Sequence, residues 1–271
     1  MTSSSDPFID NLERIAERLY RIGLGFCGSH ADAQDMVQET ILSAYRHRAQ
    51  FEGRSDIHTW LYRIASRVCM RMRRRRAGQP ARFESIDEDP AFAERMIVDL
   101  DELARRSSEG HADPELLEQL KESILKLPEP FRLVLVLKEI AGLSIDETAR
   151  VLGIKPQTVK TRLHRARMRL RARLAKKLPT KPGVAPLYSR QVCLDLLKAK
   201  QAALDRGEPF PVQNSLMCER CRSVFATLDL EHDLCQRLGE APAPLEIREF
   251  IRRLESEVKS TPAKGAATSS H

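Results

Sequence analysis

An all-α chain is what the sequence predicts, and three observations carry that reading. Apolar residues recur at spacings of three and four almost throughout, which is the period of a helix with one buried face. No segment of any length alternates apolar and polar residues as a half-buried strand does. Glycine and proline fall mostly between the apolar runs rather than inside them, where they end helices instead of breaking them. With 271 residues there is room for about two domains. The net charge of +7 favours nucleic acid or acidic surfaces as partners. No run approaches the ~18 apolar residues of a membrane span, and the opening residues lack the basic-then-apolar pattern of a signal peptide. A cytoplasmic, non-membrane protein is therefore expected. In a reducing compartment, clustered cysteines point to metal or redox chemistry more than to structural disulfides.

The first block, residues 8–78, reads as three or four helices. Leu12, Ile15, Ala16, Leu19 and Ile22 form one apolar stripe, and Gly23, Gly25 and Gly28 are expected to break it. A new helix follows in SHADAQDMVQETILSAYRHR, with Ser29 or Asp32 as its cap. The segment DIHTWLYRIASRVCMRMRRRR carries the only tryptophan, Trp60, and ends in Arg71 and Arg73 to Arg76. Trp60 is either a core anchor or a ring that stacks on unpaired bases. Cys27 and Cys69 are expected to be buried apolar residues without a chemical role.

Residues 79–120 are different in composition. From residue 77 to 120 there are twelve Asp or Glu against four Lys or Arg, a net charge of −8, with Pro80, Pro90, Gly110 and Pro114 interspersed. This predicts an acidic, partly disordered linker.

The block 121–178 reads as a helix pair punctuated by Pro128 and Pro130, then a helix, a turn at Gly153 and a second helix. Pro156 suits the first turn of that last helix. From Lys155 to Lys177 there are ten Lys or Arg and no acid. A helix that enters the major groove needs side chains for base edges at its start and cations along its flanks. Gln157, Thr158, Lys160, Thr161, Arg162 and Arg165 fit those places, with Gln suited to adenine and Arg to guanine. The plain alternative is a solvated cationic helix, which such a one-sided run after a glycine turn disfavours.

A hinge at 179–190 leads to the last block, 191–256, and a tail at 257–271 expected to be disordered. Four of the six cysteines lie here. Cys218 and Cys221 form CxxC, a spacing that presents two thiolates to one metal. Cys193 and Cys235 would complete four sulfurs, with His232 as an alternative ligand. Four thiolates suit Zn(II) or Cd(II), and a linear or trigonal set suits Cu(I). The CxxC lacks the βαβ context of a disulfide oxidoreductase, so no enzyme is expected.

Two stretches carry a family resemblance. DAQDMVQETILSAYRHRAQFEGRSDIHTWLYRIASRVCMRMRRR resembles region 2 of an extracytoplasmic-function (ECF) sigma factor. LPEPFRLVLVLKEIAGLSIDETARVLGIKPQTVKTRLHRARMRLR resembles its region 4. The resemblance implies that Asp32, Asp35, Gln38 and Glu39 bind the RNA polymerase core. It implies that Phe51 to Arg67, with Trp60, Arg63 and Arg67, melt and read the −10 element of promoter DNA. It implies that the second helix of the 121–178 block reads the −35 element, and that the acidic linker runs toward the RNA exit path. Ser66 stands where the family often has Asn, so −10 specificity is not carried over. The last block resembles the cysteine-rich domain of CorE-like sigma factors more than zinc anti-sigma domains, which carry a His just ahead of CxxC where this chain has Asn214. That resemblance implies metal control by the chain's own tail, without a separate anti-sigma factor. The alternatives are a structural zinc or thiol-redox tail, and a plain helix-turn-helix regulator. Metal would supply the energy to order a domain that has little else to organise it, ~10 kcal/mol or more for a structural zinc.

Overall fold

The computed structural model describes residues 12–48, 51, 56–77, 96–108, 114–240 and 243–260. Three helices form the first part: α1 (Leu12–Cys27), α2 (His30–Arg46) and α3 (Ile57–Ala77). The expected break at Gly23 and Gly25 does not occur, and α1 runs through both. These glycines serve close packing instead. A Cβ on Gly23 would lie 3.2 Å from Ala33 of α2, and one on Gly25 would lie 2.9 Å from the Val136 side chain. The helix ends at Gly28, whose φ of 92° is open to glycine at little cost. Ser29 then caps α2 by accepting from the Asp32 amide. Ile15, Leu19, Phe26, Met36, Ile41 and Leu61 fill the space between the three helices.

The acidic stretch is ordered over 96–108, where it forms strand β1 (Met96–Val98) and helix α4 (Leu100–Ser108). Of the expected linker, residues 79–95 and 109–113 lie outside the described residues, as do 52–55, 78 and the tail from 261, while residues 114–120 and 257–260 are helical rather than disordered. Helix α5 (Pro114–Leu125) follows, then α6 (Glu129–Leu135), which passes into a π-helical turn at Val136–Ile140. Pro128 and Pro130 are tolerated because they sit at the start of α6, where amides have no helical partner. Helix α7 (Ile145–Leu152) begins with a capping box between Ser144 and Glu147 and ends at Gly153, φ 67°. Helix α8 (Pro156–Ala175) starts on Pro156.

Strand β2 (Thr180–Pro182) pairs antiparallel with β1, Ile97 opposite Lys181. Three residues are too few for an alternation to show in sequence, so this ribbon escapes an all-α reading. Its effect is to pin the expected hinge. The same segment is held further by Arg220 Nε donating to the Val184 carbonyl at 2.7 Å and by Tyr188 Oη donating to the Leu216 carbonyl at 2.9 Å. Three helices close the chain: α9 (Arg190–Arg206), capped by Ser189 and ended by Gly207 at φ 68°, α10 (Glu219–Glu240) and α11 (Leu245–Ser260).

One apolar core threads all parts of the molecule. Leu19 and Leu61 of the first helices, Leu133 and Leu163 of the middle block, and Leu234, Ile247 and Ile251 of the last two helices belong to it. Helix α10 lies across α8 and the π-turn, and α11 lies along α1 and α2. A second, smaller core joins Met168 of α8 to Leu197, Met217, Val224, Phe225 and Leu228 of the tail. The tail thus has apolar organisation of its own, beyond what thiol–metal bonds would supply.

Candidate DNA-reading surfaces and thiolate site

The start of α8 is a surface of the predicted kind. Gln157, Lys160, Thr161 and Arg165 are exposed, and Thr158 and Arg162 are half-buried. Val159, Leu163 and Ala166 point into the core and fix the helix's roll. The cationic run then divides. Arg167 and Arg171, further along α8, are each 2% exposed. They face the tail rather than solvent.

On α3, Arg67 is exposed, Arg63 is half-buried and Trp60 packs on Phe51 with ring centroids 5.4 Å apart. Arg63 is engaged within the chain, donating from Nη2 to the Arg150 carbonyl of α7 at 2.8 Å. The predicted −10 reader therefore lies against the helix-turn-helix block. On α2, Asp35, Gln38 and Glu39 form an exposed face, with Glu39 paired to Arg71 of α3. Asp32 is only 6% exposed and belongs to the capped first turn.

Three of the four tail cysteines come together. The sulfurs of Cys193 on α9 and of Cys218 and Cys221 at the start of α10 all lie within 4.8 Å of one another, and all three residues are buried. A metal with bonds of ~2.3 Å to each sulfur needs separations of this order, so the residues fit a trigonal or tetrahedral thiolate site. Burial raises the Cys193 and Cys221 thiols above the usual cysteine value. Burial also pushes the Cys218 thiol up, but hydrogen bonds from the Cys221 amide and thiol and from the Leu187 and Arg220 amides outweigh it, and the thiol lies below that value.

Cys235 is not part of this cluster. It sits on the same continuous helix as Cys221, fourteen residues on, which is about 21 Å of rise. It lies in the main core, fully buried, where burial drives its thiol far up. His232 is also elsewhere. Its Nδ1 meets Glu139 Oε2 of the π-turn at 2.6 Å.

That contact belongs to a buried charged network that no sequence motif marks. Arg167 of α8 donates to Glu139 Oε1 at 2.6 Å from Nη2 and 3.1 Å from Nε. Its Nη1 donates to Gln201 Oε1 at 2.8 Å and Asp205 Oδ1 at 2.7 Å, both on α9. Burial pushes the Glu139 carboxyl up, yet Arg167 and His232 hold it at about 2. Next to it, Glu231 of α10 is 1% exposed, and neither carboxyl oxygen has a hydrogen-bond partner among the described residues. Burial drives its carboxyl well above the usual range.

Comparison with known proteins gives these surfaces a common meaning. The family model for Sigma-70 region 2 matches residues 12–79, and that for Sigma-70 region 4 matches residues 117–170. The two regions in this order define a sigma-70-type transcription initiation factor. The ECF sigma factor SigW of Bacillus subtilis is 32% identical over 181 residues, covering 62% of this chain and 89% of SigW. SigE of Mycolicibacterium smegmatis is 33% identical, covering 63% of each chain. The chain belongs to the ECF RNA polymerase sigma factors, which direct RNA polymerase to promoters. A solved RpoE from Bartonella quintana, in complex with the anti-sigma factor NepR, is 26% identical over 62% of this chain and 96% of that one. Its TM-score of 0.45 is too low to carry an argument. None of these matches spans the whole chain, and the region 4 match ends at residue 170, short of the four tail cysteines. Among the described residues no helix is long and apolar enough to cross a membrane.

Proposed function

We propose that this sigma factor is held closed by its own last three helices, and that a metal on Cys193, Cys218 and Cys221 sets the balance between closed and open forms. The observation that carries this is the position of α10. One end of it bears two of the three thiols, and further along it packs on the π-turn of region 4 through His232 and Gly239. Helix α11 continues from there onto region 2.

The closed form cannot read a promoter. The −10 and −35 elements lie about 25 base pairs apart, roughly 85 Å at 3.4 Å per step. Here Arg63 of the −10 reader touches Arg150 of region 4. Regions 2 and 4 must separate for both elements to be bound at once, and α10 and α11 span the joint that must open. A metal drawing α9 to the start of α10 acts on one end of a helix of 22 residues, about 33 Å long. Such a site supplies binding energy that favours one packing of that helix over another. With three protein thiolates, Zn(II) or Cd(II) would take a further donor, and Cu(I) would not need one. In this reading no separate anti-sigma factor is required.

The test is transcription in vitro with core polymerase and the reduced full chain, adding Zn(II), Cd(II), Cu(I) or Cu(II) singly. One metal is expected to change transcription, and the sign of the change says which form it favours. Cys218→Ser with Cys221→Ser should remove both the response and the bound metal, whereas Cys235→Ser should keep the metal stoichiometry. Transcription indifferent to every metal, with metal still bound, would leave the cluster as a structural site and refute the switch.

A further inference from the structure

We propose that Cys27 and Cys69 are a disulfide-forming redox pair inside region 2, separate from the thiolate cluster of the tail. Their sulfurs are 3.1 Å apart across 42 residues of sequence. Two thiols at that distance are closer than ordinary packing requires, and a further ~1 Å would bond them. The place tolerates that closure. Cys27 is the last residue of α1 and is followed by Gly28 at φ 92°, so its backbone is at a helix end rather than mid-helix. Cys69 is held in the middle of α3 and is 2% exposed, while Cys27 is partly exposed. An oxidant therefore arrives at Cys27, and Cys69 is the resolving thiol behind it.

The oxidant named here is a hydroperoxide. Cys27 gives up its proton to solvent, its thiolate attacks the peroxide, the O–O bond breaks, and Cys27 becomes a sulfenic acid as hydroxide (or alkoxide) leaves and takes up a proton to give water (or an alcohol). The Cys69 sulfur then attacks Cys27 Sγ. The S–S bond forms, the S–O bond breaks, and the departing hydroxide takes the Cys69 proton to give water. Two thiols are oxidised by two electrons and one peroxide is reduced. A dithiol reductant reverses the bond by exchange.

The staple falls where region 2 meets region 4. A Cβ on Gly28, next to Cys27, would lie 2.9 Å from Leu125 of α5. Cys69 lies two residues beyond Arg67 on α3. The bond fixes the helix predicted to read the −10 element to the helix end on which region 4 rests.

The experiment is stoichiometric hydrogen peroxide on the reduced full chain, followed by alkylation and non-reducing peptide mapping. The expected product is a peptide containing Cys27 linked to one containing Cys69, lost on dithiothreitol. In Cys69→Ser, a dione probe should trap a sulfenic acid on Cys27. In Cys27→Ser, Cys69 should stay alkylatable at the same dose. Both substitutions are near-isosteric, and the probe readout does not depend on disulfide formation. Recovery of both thiols unmodified, Cys27 over-oxidised with Cys69 still free, or Cys69 oxidised equally fast in Cys27→Ser would each overturn the assignment.

Discussion

Gly239→Ala isolates the contact between α10 and region 4. Gly239 is near the end of α10, and a Cβ there would collide with the Ile140 carbonyl oxygen, with the Ile140 carbonyl carbon 3.2 Å away. Both are backbone atoms of the π-turn and cannot rotate aside. Within α10 alone, alanine is the better residue by about 1 kcal/mol, so the helix itself gains. The loss falls on the interface. Over-packing of this kind costs ~1–3 kcal/mol, which is a factor of about 5 to 150 in the closed-to-open ratio. The Arg21 Nη1 bond to the Gly239 carbonyl, 3.1 Å, should be lost with it. Hydrogen exchange of the full chain is the assay. The amides of residues 136–140 and the end of α10 should exchange faster in the variant by that factor, while those of α2 hold their protection. Transcription without added metal should move in the same direction as in a chain truncated after Lys177. If the protection pattern is unchanged and transcription is unaltered, α10 does not rest on the π-turn in solution, and the closed-form argument fails at its main contact.

Glu231→Gln should raise stability near neutral pH. The wild-type carboxyl is buried among Arg167, Arg171, Glu139 and Cys235, and its folded value lies above the unfolded one. Its contribution is whole below the unfolded value, ~4.3, and is lost as pH rises toward the folded value, at up to about 1.4 kcal/mol per pH unit. Urea midpoints should therefore diverge between the two proteins as pH rises, and parallel curves would refute a buried neutral Glu231. Glu139→Gln should act with the opposite sign. A carboxyl held at about 2 contributes stability above its unfolded value that is lost as pH falls toward 2. That is roughly 3 kcal/mol at neutral pH, and the acid limb of the stability curve should flatten in the variant.

The helix ends read from sequence at Ser29, Gly153 and Pro156 each have a local chemical cause. Ser144 with Glu147, Ser189 and Gly207 act by the same rules but emerged only with the fold. The three-sulfur cluster was half legible. CxxC fixes two of its sulfurs, and Cys193 joins only through the packing of α9. Cys235 and His232 fail as ligands for a reason visible once α10 is taken as continuous, since a rise of 1.5 Å per residue carries them away from Cys221. Gly23 and Gly25 look like breaks in sequence, but what they admit is a neighbour, and only the fold says which. The cationic run of α8 reads as one surface if charges are counted. Periodicity separates it, because Leu163, Ala166, Arg167, Leu170, Arg171 and Leu174 share one face at spacings of three and four. The partners of Arg167 lie 28 to 38 residues away, and no local pattern specifies them.

The chemistry of that shared face bears on why a closed form could open. Glu139 and Arg167 both belong to region 4, so their pairing with each other does not require the tail. The tail adds His232 to the acid and Gln201 and Asp205 to the base. A purely apolar contact of the same extent would lose its full burial on opening, with nothing returned but water at a greasy surface. Charged groups regain hydration when exposed, which offsets much of what their hydrogen bonds contributed while buried. Removing one member of the network leaves an uncompensated charge and is costly; separating its two halves as complete sets costs far less. The charged part of the contact is specific in register, because its donors and acceptors are fixed in place, and it holds less tightly than an apolar contact of the same extent, whereas Leu234, Ile247 and Ile251 supply apolar burial beside it. Glu231, buried without a hydrogen-bond partner among the described residues, also weakens the charged part. A binding event at Cys193, Cys218 and Cys221 would have to outweigh that apolar contact as well as the charged network to move the equilibrium.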